Sequence, residues 1–147
     1  MIEPLRRTLR VACSPAHAFA TWTARASAWW PPAHTMSGER GVEIVFEPKV
    51  GGRIFERTVD GREFEWGEIT VWEPPGRLGY RWSIATTREH ATDVEIRFQS
   101  DGEEVTRVEI EHRGWERLGD AGPSWRDVNQ GGWDGTLPAF ARAATVS

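Results

Sequence analysis

The sequence predicts an α+β domain: an antiparallel sheet of about seven strands, two short helices after the first strand, and a long C-terminal helix over the sheet. Three observations predict it. Short runs alternate apolar and polar residues with a period of two. Tight-turn signals separate many of them, among them Asp60-Gly61, Pro74-Pro75-Gly76 and Asp101-Gly102. One long amphipathic segment, from about Ser124 to Ala144, remains to cover the apolar face of the sheet.

Strand 1 is read from Leu5, Leu9, Val11 and Cys13 on one parity, against Arg6, Thr8 and Arg10 on the other. Ser14-Pro15 starts a helix, with an N-cap oxygen followed by proline at the first helical position. Phe19 and Trp22 share its inner face, and a second short helix over 24–30 ends at Pro31-Pro32. Strand 2 contains Val42, Ile44 and Phe46 and stops at Pro48, with Gly51-Gly52 as the turn. Strand 3 is expected over 53–59, strand 4 over 64–72, and strand 5 around Leu78, Tyr80 and Trp82. Residues 84–91 read as a polar loop. Strands 6 (92–99) and 7 (106–112) form a hairpin with one wet and one apolar face. Short connections of this kind imply antiparallel pairing.

In the last helix Trp133, Leu137, Phe140 and Ala144 form a stripe at helical spacing, which Trp125 and Val128 extend. Gly131, Gly132 and Gly135 interrupt it, each at a cost of roughly 1 kcal/mol relative to alanine. Such a helix is expected to approach its partner closely, the partner being the sheet, with a ligand-sized space between them. Pro138 is expected to kink it.

The 147 residues suit one domain with one core, and a single domain over 1–147 is expected. The net charge of −4 and the lack of a Lys/Arg run argue against nucleic acid as a partner, since phosphate binding needs a basic face. Lys49 is the only lysine and Cys13 the only cysteine, so no internal disulfide forms. Without a signal-like leader or a run near the ~20 apolar residues of a membrane span, no membrane insertion and a cytoplasmic location are expected. Nine tryptophans against one tyrosine point to a wide aromatic interior or to exposed aromatic surface.

No strong catalytic constellation stands out. His17, His34, His90 and His112 lack metal-ligand spacing, so no metal and no cofactor are expected. Cys13 lies on the apolar parity and reads as a buried structural thiol. Ser83 and Ser100 lack a nucleophile-elbow context. His112 shares the core face of Val108 and Ile110, where it needs a partner. It reads either as a satisfied core histidine or as a polar anchor in a cavity. Glu68 and Arg81 are expected to face solvent. Trp66 and Trp72, on the parity of Glu68 and Thr70, are candidates for an exposed partner surface.

Several segments together resemble one family in order and spacing. They are 18–23 (AFATWT), 28–31 (AWWP), 50–53 (VGGR), Asp60-Gly61, 66–69 (WGEI), 73–78 (EPPGRL) with Trp82 after it, 92–94 (TDV), 111–115 (EHRGW), and Gly131-Gly132-Trp133 with Leu137. The chain resembles the Hsp90-ATPase-activator-homologue-like (AHSA1-like) branch of the START-like, or SRPBCC, superfamily. The resemblance implies a helix-grip (START-like, Bet v 1-like) fold, with a curved sheet wrapped around the C-terminal helix and a cavity between them. The superfamily includes lipid and hormone binders, polyketide cyclases and a chaperone cofactor, so the fold does not choose the function. The expected ligand-binding residues are Trp30, Phe55, Ile69, Tyr80, Trp82, His112, Trp133 and Leu137, with Trp29 and Trp30 at the mouth. The leading expectation is binding of a small hydrophobic or aromatic molecule. The alternatives are a protein-interaction module, a cyclase- or hydrolase-type enzyme using His112, and a lipid carrier. A homodimer is compatible with all of them.

Overall fold

The computed structural model describes residues 2–84 and 90–145. Strand β1 (Leu5–Val11) is followed by helices α1 (Pro15–Trp22) and α2 (Ala26–Trp29) and a 3-10 turn (Pro32–His34). Six strands follow: β2 (Glu43–Phe46), β3 (Arg53–Arg57), β4 (Glu63–Glu73), β5 (Arg77–Trp82), β6 (Thr92–Ser100) and β7 (Thr106–Arg113). A second 3-10 segment (Trp115–Ala121) leads into α3 (Gly122–Ala144). Most of the predicted 84–91 loop lies outside the described residues.

All seven strands form one antiparallel sheet in the order β1-β7-β6-β5-β4-β3-β2. The hairpin connections explain the run from β2 to β7. β1 closes the far edge by pairing with β7, Leu9 opposite Val108. The helices cover one face, and the other carries arginine–carboxylate pairs across the strands. Arg57 bridges Glu43 and Glu63, for example, and Glu95 takes both Arg77 and Arg97. Pairs this exposed contribute little stability, but they keep the outer face wet and set which face turns inward.

The Ser14 side chain accepts from the His17 N–H and caps α1. α2 is a single turn, shorter than predicted, and Ser27 stitches it to the edge strand by exchanging hydrogen bonds with Ile44. Trp22 is the centre of the core. Its ring lies 4.8 Å from Phe140, 5.3 Å from Trp29 and 6.0 Å from Trp133. Seven of the nine tryptophans are buried, and Trp72 and Trp125 are partly so, so the aromatic excess builds the interior. Cys13 is also buried, and desolvation raises its thiol pKa, with Glu104 adding to the effect.

Two β-bulges in β4 break the period-two reading. Ile54 pairs with Gly67 while Phe55 pairs with Glu65, which leaves Trp66 unpaired and turns its indole inward. Trp66 is therefore fully buried, contrary to the expectation of an exposed surface. Gly67 is required beside it, because a Cβ there would lie 1.9 Å from the Arg81 carbonyl oxygen. A second irregularity at Thr70 brings Trp72 edge-on to Phe19, 5.0 Å between ring centroids. α3 runs unbroken through Pro138, and its expected start at Ser124 moves back to Gly122.

Candidate functional site

Between α3, the 3-10 turn and the end of β5 lies a cavity of about 520 Å³. Trp82 and Ile84 form the sheet side, and Trp30 and the segment 33–36 form the outer wall. α3 contributes Trp125, Val128 and Asn129 in one turn, then Gly131, Gly132, Trp133 and Thr136. Gly131 and Gly132 have open space where a Cβ would stand. Their smallness therefore serves the cavity and not a close contact with the sheet, which corrects the expectation. Gly135 differs, since a Cβ there would lie 2.3 Å from His34 Nε2.

Of the eight expected residues, Trp30, Trp82 and Trp133 line this cavity. Ile69, Tyr80, His112 and Leu137 are buried in the core outside the cavity wall. Phe55 is on the wrong face. It packs on the outer side of the sheet beneath the guanidinium groups of Arg53 (4.3 Å) and Arg57 (5.3 Å), because Ile54 and Glu56 take the inward parity.

His112 is fully buried and engaged at both ring nitrogens. The Trp133 indole N–H donates to Nδ1 at 3.0 Å, so the neutral ring carries its proton on Nε2. Nε2–H then donates to Thr92 Oγ1 at 2.6 Å, and the hydroxyl is 3.4 Å from the Trp82 carbonyl oxygen. Burial lowers the imidazole pKa to about 3. At neutral pH His112 is therefore an uncharged tie that holds Trp133 and Trp82 in place. The enzyme reading required a nearby carboxylate and open access to the cavity. Among the described residues the ring is paired with Thr92 and Trp133, and no carboxylate is hydrogen-bonded to it.

Sequence reading missed Glu56. Its carboxylate is fully buried and accepts from the Met36 and Ser37 N–H groups, Ser37 Oγ (2.7 Å) and Trp66 Nε1 (2.8 Å). These four donors satisfy the carboxylate and clamp the cavity rim to β3. A glutamate flanked by Phe55 and Arg57 gives no sign of this, because the donors come from residues 36–37 and 66. Deeper in the core, the Tyr80 hydroxyl and Trp22 indole N–H are near one another without forming a hydrogen bond of normal geometry. Burial raises the Tyr80 pKa far above its ordinary value, with Trp22 opposing it weakly.

Among the described residues no cluster of His, Cys, Asp or Glu could hold a metal ion, and no helix is long and apolar enough to cross a membrane. A second apolar cleft, lined by Phe19, Phe46, Trp72 and the Pro74-Pro75 turn, lacks ionisable side chains. Converging polar groups favour the first cavity as the site.

A sheet packed against one long helix, with an aromatic cavity between them, defines the helix-grip class. Residues 12–144 match the model of the activator of Hsp90 ATPase homolog 1-like proteins, and the chain belongs to that family. Among solved structures it is similar to an anthrahydroquino-γ-pyrone synthase, Txn09, at 35% identity, covering 97% of both chains with a TM-score of 0.70. It shares its fold with the Aha1 dimer from Colwellia psychrerythraea (15% identity, 99% and 98% covered, TM-score 0.71). It also shares it with CalU16 from Micromonospora echinospora (18% identity, 96% and 75% covered, TM-score 0.60). Curated protein sequences give no match.

Proposed function

We propose that this protein binds a flat polycyclic aromatic molecule in the cavity between α3 and β5. The observation that carries the reading is the pairing of Trp30, Trp82 and Trp133 with the bare backbone at Gly131-Gly132. Indole faces favour flat π-systems, and the two glycines leave room for such a body against the helix. The cavity volume lies within the usual range of roughly 300–1,000 Å³ for small-molecule sites. The walls carry no Asp, Glu, Lys or Arg among the described residues, which suits a ligand of low charge. Burial of Trp66 and the open cavity weigh against a partner-binding module built on exposed tryptophans.

The 35% identity to an anthrahydroquino-γ-pyrone synthase supports a second step, ring closure on a bound polycyclic aromatic. In such a site the chain acts chiefly by confinement. Holding two ends of one flexible molecule together can supply much of a cyclisation barrier.

Anthraquinone titrated against the protein, followed by tryptophan fluorescence and calorimetry, tests the reading. Saturable quenching that Trp133→Ala and Gly132→Leu abolish is the expected result. Binding unaffected by both substitutions, or no binding of any polycyclic aromatic, overturns it.

A further inference from the structure

We propose that the His34 imidazole is the polar recognition group of the cavity, accepting a hydrogen bond from a hydroxyl on the edge of the aromatic ligand. The inference rests on the binding reading above and adds the chemical feature that the ligand carries. His34 is the only ionisable side chain lining the cavity among the described residues, and no described group makes a hydrogen bond or ion pair with its ring. The donor groups of the other hydroxyl and amide side chains there are engaged elsewhere. Asn129 Nδ2 donates to the Trp125 carbonyl, Thr136 Oγ1 to Gly132, and Thr35 Oγ1 to Pro32. Tryptophan N–H groups can only donate, whereas a neutral imidazole also accepts. Of the cavity's side chains, His34 and the Asn129 Oδ1 oxygen can accept, and His34 is the one on the wall opposite the helix.

Two features hold that acceptor in position. The Trp30 indole N–H donates to the His34 carbonyl at 3.1 Å, and the His34 N–H donates to Pro31 at 2.9 Å, within a turn stiffened by Pro31 and Pro32. On the opposite side, Gly135 is exposed and has an ordinary helical backbone, so no turn or strain requires glycine there. The ring of His34 occupies the place its side chain would fill. Backbone geometry would allow any residue at this helix position, and only the imidazole stands in the way of a side chain.

The test compares anthraquinone with 2-hydroxyanthraquinone on the wild type, His34→Leu, His34→Gln and Gly135→Ala, each checked for folding by circular dichroism. His34→Leu is expected to weaken 2-hydroxyanthraquinone about ten-fold, the worth of one good hydrogen bond, while anthraquinone changes less than about two-fold. His34→Gln should recover part of the loss, and Gly135→Ala, which displaces the ring, should reproduce it. Equal affinity of 2-hydroxyanthraquinone for wild type and His34→Leu overturns the assignment and leaves the binding reading standing. Equal weakening of both compounds makes His34 a packing wall and also overturns it. Failure of both compounds to bind the wild type overturns the binding reading itself, and this inference with it.

Discussion

At the scale of residues, three buried polar groups have different electrostatic roles. His112 stays neutral because burial lowers its pKa from 6.5 to about 3. Between those values the unfolded chain binds a proton that the folded one refuses, so stability rises with pH across the window and is lost as pH falls from 6.5 towards 3. Urea midpoints between pH 4 and 8 should show this loss, at up to about 1.4 kcal/mol per pH unit from this group. His112→Gln should flatten that limb. Glu56 is satisfied by four donors, none of them a cation among the described residues. Glu56→Ala leaves Trp66 Nε1 and the Ser37 groups unpaired and should cost about 3 kcal/mol or more in chemical denaturation. Tyr80 is the contrast. Its hydroxyl makes no hydrogen bond among the described residues, so Tyr80→Phe should stay within about 1 kcal/mol of wild type, and a larger loss would reveal a partner in solution. Period-two alternation placed His112 on the inner face, but its role follows from Trp133 and Thr92, which lie 21 and 20 residues away in sequence.

At the scale of elements, the glycines of α3 are not equivalent. Gly132→Ala meets open space and should stabilise the helix by up to about 1 kcal/mol, with reduced room for a ligand. Gly135→Ala gains the same propensity but drives a methyl group into His34, so its thermal shift should be smaller or negative. Differential scanning calorimetry of the two variants separates these cases. Gly131, Gly132 and Gly135 look alike in sequence, because propensity is local and the neighbour that matters is brought by another element. β4 makes the same point. Its alternation is clear, but the bulge at Trp66 reverses the faces on either side, so Trp66 turns inward. The bulge leaves little local mark apart from Gly67, whose need appears only when Arg81 is packed across from it. The misplacement of Phe55 has its source in the mixed pattern of the short strand β3.

At the scale of the whole molecule, a ligand that binds only the folded state adds stability by mass action. At a hundred times its dissociation constant, bound anthraquinone should add about 2.7 kcal/mol. In a domain of this size that corresponds to a rise in melting temperature of roughly 5–10 °C, which differential scanning fluorimetry would read. The sequence by itself determined the class of fold, the order of the elements, the antiparallel pairing and the covering helix. Those features follow from periodicity, turn chemistry and caps, which are properties of neighbouring residues. It also marked Trp30, Trp82 and Trp133, which line the cavity. Only the tertiary structure decided which glycines make room and which one clears a histidine, and that Glu56 clamps the rim. Only it decided that the buried His112 ring ties Trp133 to Thr92. Each of those outcomes depends on atoms from distant segments meeting within hydrogen-bond or van der Waals reach, and no local pattern in the chain encodes that distance.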